Sequence, residues 1–339
     1  MNLEKKDLDM QLNKKPFVSI YMITYNQEAF IEQAIESVMI QETNFEYKLF
    51  VGEDFSSDNT REICKKLKEK YPDKIELFLN EKNLGANKNA KLIFKATFES
   101  GAKYIALLEG DDYWTDSLKL QKQVDFLEAN PDYVLCFHPI SILKTNGEIV
   151  DDFITIVPEN HETIETLARL GNYVHTPSVL FRNVIKEFPF EFEQSPIGDY
   201  FLYMMVAKHG KLKYLKDKMA VYREGVGIWN IKSKYFKNLN TAYTHALLVS
   251  YNNSDNSVSS ILLDRIIEFL KAYENQIDKE SLLQLNTCVR VNQCIYNFFL
   301  NRNKIDLDRS QTIQMKTSSE LIREVLLRIK KRLWNKYTL

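Results

Sequence analysis

Tyr104-Ile105-Ala106-Leu107-Leu108-Glu109-Gly110-Asp111-Asp112 is an apolar run that ends in three carboxylates within four residues. A short apolar run bounded by turn signals reads as a buried strand, and its polar end as the loop beyond. Upstream, Asn87 to Ser100 has helical spacing and follows an apolar strand, Ile75 to Leu79. Further back, Tyr47 to Val51 reads as a strand, closed by Gly52-Glu53-Asp54. Behind it, Ser56-Ser57-Asp58-Asn59-Thr60 supplies N-cap candidates for a helix through Lys70. The first such pair is Phe17 to Ile23, a buried strand ending in Thr24-Tyr25-Asn26, and a helix from Glu28 to Ile40 with Phe30, Ile31, Ala34, Ile35 and Val38 on one face. Strand and helix thus alternate strictly from Phe17 to Leu108. That is the pattern of an α/β, Rossmann-like, mostly parallel sheet with helices on both faces.

Ligands of open α/β sheets gather at the carboxyl ends of the strands. Three polar clusters fall there: Thr24-Tyr25-Asn26, Glu53-Asp54 and Glu109-Gly110-Asp111-Asp112. One acidic pair after a strand is ordinary turn chemistry. Two pairs at equivalent strand ends, with a hydroxyl-rich third, point to a site. Carboxylates packed as closely as Glu109, Asp111 and Asp112 repel unless a cation offsets them. Hard oxygen donors suit Mg2+ or Mn2+ bound together with substrate phosphates. The bland alternative is a solvated turn capping a helix near Asp116, but the adjoining Tyr113-Trp114 is too bulky for an ordinary turn.

From Val134 the strands shorten, an irregular stretch follows, and a helix is predicted near Asp199 to His209. From about Lys232 the apolar spacing is helical and Pro is absent, which predicts an all-α extension. Composition agrees with a globular chain: 45% of the 339 residues are hydrophobic, so wholesale disorder is excluded. With 45 Lys+Arg against 46 Asp+Glu, the chain lacks the basic surplus of a nucleic-acid binder. Cys64, Cys136, Cys288 and Cys294 show no metal or redox spacing and read as reduced thiols of a cytoplasmic protein. Met1 to Pro16 is polar, without an apolar signal core. The longest apolar stretch, Tyr200 to Ala207, falls far short of the ~20 residues a spanning helix needs.

Four motifs in order, Val18 to Asn26, Glu53-Asp54-Phe55-Ser56-Ser57-Asp58-Asn59-Thr60, Asn83-Leu84-Gly85-Ala86-Asn87-Lys88-Asn89 and Glu109-Gly110-Asp111-Asp112, make residues 16–230 resemble family-two glycosyltransferases of GT-A fold. The resemblance implies an inverting, metal-dependent transfer from a nucleotide-sugar donor, with UDP the usual carrier, to a glycan or lipid-linked acceptor. It places the nucleotide base on Thr24 and Tyr25, with Asn26 beside them. Asp54 would read the uracil edge, next to Glu53 where the family has Asp. Lys88-Asn89 stands for the family's Arg-Asn, which keeps a cation but loses bidentate geometry. Asp111 matches the ribose contact and Asp112 the metal ligand, with Glu109 in the place of the leading Asp. Asn172 to Arg182 resembles the strand along the acceptor cleft. Gly198-Asp199 resembles the Glu-Asp motif whose Asp is the catalytic base. By itself, Asp199 before an apolar helix reads as an N-cap. At a helix start its pKa should be low until bound acceptor desolvates it. Tyr222-Arg223 is the last landmark; the His that often follows is missing, so a third metal ligand is unassigned. Trp114, His175 and Arg223 are expected along the acceptor side of the cleft, although a lone His at a strand end is more often structural.

These readings give a polar leader at 1–15, a GT-A domain at 16–231 and a helical region at 232–339. Within the last, Leu321 to Leu339 aligns Leu321, Ile322, Val325, Leu326, Ile329, Leu333 and Trp334 on one helical face, and carries six cations against one acid. It reads equally as a helix lying on an anionic membrane, at the inner face of the cell, or as one docked on protein, including a homodimer through the helical tail. Two other functions compete. A sugar nucleotidyltransferase needs a Gly-rich phosphate loop that Thr24-Tyr25-Asn26-Gln27 lacks. A non-catalytic sugar-nucleotide or glycan binder draws mild support from Glu53, Lys88 and Gly198.

Overall fold

The computed structural model describes residues 15–227, 232–252 and 254–300. The chain divides into two compact units, one made of everything up to Phe188 with Gly198–Ser233, the other of Pro189–Ile197 with the chain from Lys234 onward. The first unit opens with β1 (Val18–Thr24), α1 (Ile31–Met39), β2 (Tyr47–Glu53), α2 (Thr60–Lys70), β3 (Ile75–Leu79), α3 (Ala86–Glu99) and β4 (Tyr104–Leu107). It continues through β5 (Tyr113–Trp114), α4 (Lys119–Ala129), β6 (Tyr133–Phe137), β7 (Ile140–Leu143), β8 (Ile149–Asp151), α5 (Ile164–Leu170) and β9 (Leu180–Arg182). After α6 (Phe190–Gln194), which belongs to the other unit, come α7 (Gly198–Ala207), β10 (Lys211–Tyr214) and β11 (Ala220–Arg223).

Seven strands form one sheet in the order β10-β6-β9-β4-β1-β2-β3. β1 pairs in parallel with both β2 and β4, and β2 with β3. β9 alone runs antiparallel, between β4 and β6. The expected mostly parallel sheet is therefore present. A smaller sheet, β5-β11-β7-β8, stands beside it. Val18, Ile20 and Met22 on β1, Leu49 and Val51 on β2, and Ala106 on β4 share one buried cluster with Ile31, Ile35 and Val38 of α1. Burial on both faces is why β1 and β4 read as mostly apolar runs instead of alternating ones, with the buried Ser19 hydroxyl of β1 paired to that of Ser100. The chain moves outward from β1 to β3 and then crosses back to β4 on the other side, so the order reverses between β1 and β4. The crevice at that reversal lies where Thr24-Tyr25-Asn26 and Glu109 to Asp112 emerge.

Several element ends differ from the sequence expectation. α1 starts at Ile31 instead of Glu28, because the Gln27 carbonyl accepts the Phe30 and Ile31 amides while Gln27 and Glu28 serve the neighbouring loop. α4 starts at Lys119, since the Asp116 carboxylate accepts the Leu118 amide at 2.8 Å and turns the chain first. The expected strand over Asn172 to Arg182 is short: Thr176–Ser178 forms a 3-10 turn around Pro177, which has no amide for a ladder, and only Leu180–Arg182 pairs.

The second unit is helical, as expected from Lys232 onward. α8 (Lys234–Tyr251), α9 (Asn256–Ala272), α10 (Lys279–Leu285) and α11 (Val289–Leu300) follow in order. Asp255 and Asp278 cap α9 and α10, accepting the Ser257 and Ser281 amides at 3.0 and 2.7 Å. α6 joins this unit through Glu191, which accepts the Ser250 hydroxyl at 2.8 Å. Cys64 and Cys136 are buried, Cys288 and Cys294 half-buried, and all four are free thiols. Among the described residues no helix is long and apolar enough to cross a membrane. The polar leader up to Lys14 and the basic segment Leu321 to Leu339 lie outside the described residues.

Candidate active site

The loops after β1 and β2 are laced together. The Asn26 amide donates to Ser56 Oγ at 2.9 Å, and Asn26 Oδ1 accepts the Ser57 amide at 2.8 Å. The Gln27 amide donates to Thr60 Oγ1 at 2.8 Å and the Glu28 amide to Asp58 Oδ2 at 3.1 Å, while Glu28 Oε2 accepts the Asn59 amide at 2.8 Å. The hydroxyl-rich run 56–60, expected to cap α2, spends most of its groups on this lacing, and Asn59 makes no side-chain cap. Thr24 is buried and donates to Gln27 Oε1 at 2.7 Å, whereas Tyr25 stands 45% exposed at the crevice.

Glu53 and Asp54 are both buried, with their oxygens turned to different neighbours. Glu53 accepts the Ser56 amide at 2.7 Å and pairs with Arg61, which also donates to the Asn80 carbonyl. Asp54 accepts the Leu84 and Gly85 amides at 2.8 and 2.9 Å and the Asn80 side chain at 2.8 Å. Those bonds fix the loop that delivers Lys88, exposed on the first turn of α3. Asn89 is buried, donating to the Gly52 carbonyl at 2.9 Å. The Lys-Asn pair thus splits into one solvent-facing cation and one structural amide.

Glu109, Asp111 and Asp112 each bring a carboxylate oxygen to within 4.8 Å of the others. Gly110 lets this loop approach β1: a β-carbon there would stand 2.5 Å from Gln27 Oε1 and 3.0 Å from Thr24 Oγ1. Asp112 is fully buried; its Oδ1 accepts the Arg223 amide at 2.9 Å, and its Oδ2 has no hydrogen-bond partner. Burial, then the charges of Asp111 and Glu109, hold the Asp112 carboxyl well above the usual range. Burial, then Asp111 and Asp199, push Glu109 up to about 8. Burial also raises Asp111, against the pull of the Arg223 charge and the Gln27 hydrogen bond. A buried orphan oxygen among three crowded carboxyls is the donor set a hard divalent cation satisfies. Mg2+ or Mn2+ fits these residues.

Arg223, expected on the acceptor side, is buried, 7% exposed. Its guanidinium lies 4.8 Å from the rings of both Phe30 and Tyr113 and donates to the Asp111 carbonyl and to Gln33 Oε1. It is a strut under the acidic loop. Trp114, also expected at the cleft, is 2% exposed; its indole donates to the Pro177 carbonyl at 2.9 Å and its ring carries the buried Lys119 ammonium 4.1 Å away. Both residues are wrapped because β5 and β11 pair with one another in the smaller sheet.

Asp199 sits in the first turn of α7, not before it, since the helix begins at Gly198. Its Oδ1 accepts the Tyr200 amide at 2.7 Å and its Oδ2 the Asn172 side chain at 3.0 Å. Burial nevertheless raises its pKa. The low pKa expected of a helix start is therefore corrected: desolvation by the protein itself outweighs the two donors. The Asp199 charge adds to the rise of Glu109, and burial, then the charges of Glu109 and Asp199, raise the buried Tyr21 hydroxyl. His175 bonds Asp152 Oδ2 at 2.9 Å and lies against Tyr222, and its charge bears on Asp199. Sequence reasoning gave Asn172, Asp152 and Gln27 no individual role in the site. Each acts across 3 to 27 residues on a partner set only by the fold, and none sits in a periodic pattern.

An uncharacterized protein of Mycobacterium tuberculosis is 33% identical over 214 residues, 63% of this chain and 60% of the relative. The chain therefore spans about three fifths of the length of such relatives. The Escherichia coli UDP-Glc:alpha-D-GlcNAc-diphosphoundecaprenol beta-1,3-glucosyltransferase WfgD is 30% identical over 222 residues, 66% of this chain and 82% of that protein. Among solved structures, S. aureus TarS 1-349 in complex with UDP superposes with a TM-score of 0.56 at 16% identity, covering 82% of each chain, which establishes the GT-A fold. The profile of Glycosyl transferase family 2 matches residues 19–188, from β1 through the acidic loop and beyond β9. With that match over the β1 crevice and its carboxylates, the chain belongs to glycosyl transferase family 2.

Proposed function

We propose that this protein is an inverting glycosyltransferase that moves a sugar from a UDP-sugar to a hydroxyl of a lipid-linked glycan, in the cytoplasm at the inner membrane face, during surface-polysaccharide synthesis. The observation that carries the reading is the buried, partnerless Asp112 Oδ2 inside a triad of carboxyls, with a desolvated Asp199 nearby. Asp112 and Glu109 would hold Mn2+ or Mg2+, and the bound ion would neutralise the leaving diphosphate. In this reading Asp111 would contact the ribose, Thr24 and Tyr25 with Asn26 the base, Asp54 beside Glu53 the uracil edge, and Lys88 the diphosphate. Asp199 takes the proton of the attacking hydroxyl: each of its oxygens receives one donor, which leaves lone pairs for the acceptor. His175, steadied by Asp152, flanks the acceptor side. A single displacement from the face opposite the nucleotide inverts the anomeric centre. UDP-glucose and a diphosphate-lipid-linked GlcNAc, the substrates in the name of the E. coli relative, are the first pair to assay. UDP release should require Mn2+ or Mg2+, stop with EDTA, and fall about 10^3-fold in Asp199→Asn. Unchanged turnover in Asp199→Asn would remove Asp199 as the base.

A further inference from the structure

Among the described residues, two other than glycine adopt left-handed backbone, Asn26 with φ 51° and Phe55 with φ 61°. They follow β1 and β2, neighbouring parallel strands, and their loops are joined by the Asn26–Ser56 and Asn26–Ser57 hydrogen bonds. Asn tolerates this conformation readily; a bulky aromatic does not, so Phe55 is held there by its surroundings. The strain does not serve core packing, because the ring is 48% exposed. One side of it rests on the Arg61 guanidinium, 5.1 Å from the centroid. Arg61 is itself pinned by Glu53 and by the Asn80 carbonyl, so the ring stands on a fixed base. Tyr25, the other exposed ring of the two loops, adjoins Asn26 as Phe55 adjoins Ser56.

We infer that Phe55 is a stacking platform for the nucleotide base of the donor, presented by a strained backbone and backed by the Glu53–Arg61 pair. The inference rests on the nucleotide-sugar reading of the crevice and adds a contact to it. A planar base gains by lying on an aromatic face, and the gain is insensitive to which base it is. Phe55 therefore contributes affinity, while discrimination between bases falls to the polar groups around it.

Phe55→Gly separates the two roles the ring could have. Glycine relieves the left-handed backbone, so the variant should melt about 2–4 °C higher. In the same variant the dissociation constant for UDP with Mn2+ should rise about tenfold, while that for inorganic pyrophosphate with Mn2+ stays at the wild-type value. Phe55→Trp should restore UDP affinity, since it restores the face. Equal UDP affinity in wild type and Phe55→Gly overturns the platform and leaves the ring as a cover for the Glu53–Arg61 pair, with the nucleotide site intact. Parallel loss of UDP and pyrophosphate overturns it too, because a base contact cannot weaken a ligand without a base. A wild-type protein that binds no nucleotide overturns both this inference and the nucleotide-sugar reading.

Discussion

Gly52→Ala places a single methyl where α3 crosses β2. The new carbon would stand 2.4 and 2.8 Å from Cγ1 and Cδ1 of Ile93 and 2.7 Å from Asn89 Oδ1. Nonbonded carbons settle at about 3.5–4.0 Å, so this face of α3 must retreat by about 1 Å. Ile93 is fully buried and has little room to give. Overpacking of this kind costs about 1–3 kcal/mol. Asn89 is also the middle of a chain: it donates to the Gly52 carbonyl at 2.9 Å and accepts from Asn80 at 3.1 Å, and Asn80 in turn donates to Asp54 at 2.8 Å. Losing two such bonds adds about 1 kcal/mol each, which brings the expected loss to roughly 3–5 kcal/mol. That is a large part of a typical domain's total. Urea unfolding measures it directly, and a UDP titration should show weaker binding because the disturbed chain ends at Asp54. Ile93→Ala supplies the partner variant: alone it should cost roughly 2–5 kcal/mol, but combined with Gly52→Ala the loss should be at least about 1 kcal/mol smaller than the two added. Strict additivity, or a Gly52→Ala loss below about 1 kcal/mol, would refute the crowding argument.

Two pH dependences follow from buried groups. Burial raises Asp199 and hydrogen bonds to its ionised form lower it, so transfer should fall on the acid side at a pH above the usual carboxylate value. Asn172→Ala removes a 3.0 Å donor to the ionised form and should move that midpoint further up, by about one pH unit; an unmoved midpoint in the pH–rate profile would contradict the assignment. In the helical unit, burial and then the Arg265 charge depress His245 from 6.5 to about 3. Between those values the unfolded chain binds a proton that the folded one refuses, so stability is lost as pH falls below 6.5. The loss should reach about 2 kcal/mol between pH 7 and pH 5, and His245→Gln should remove that share of the slope in urea unfolding at the two pH values.

Much of the first unit was legible because its signals are local. A strand buried on both faces must be mostly apolar, so Val18 to Thr24 and Tyr104 to Leu107 announce themselves. The acids after β4 were legible for the complementary reason: crowded carboxylates have few uses other than a cation. The element ends were less so. Asp58 divides its carboxylate between the Thr60 amide at the start of its own helix and the Glu28 amide of the neighbouring loop, and Glu28, expected to open α1, bonds across to the Asn59 amide. Only the pairing of β1 with β2 brings those loops together.

What the residue order determined by itself is the α/β alternation, the crevice at the carboxyl ends of β1 and β4, and the identity of the acids that line it. All depend on neighbours within a few positions and on periodicity. The surroundings of Arg223, Trp114 and Asp199 were decided by tertiary structure. The Arg223 amide reaches Asp112 across 111 residues, and its guanidinium props the acidic loop by donating to the Asp111 carbonyl. Trp114 is sealed beneath the Pro177 turn by the pairing of β5 with β11. Asp199 reads as a well-solvated helix cap in the sequence, and the fold makes it a desolvated carboxylate with a raised pKa. Burial and long-range charge depend on what three-dimensional packing brings near, and chain spacing carries no record of it.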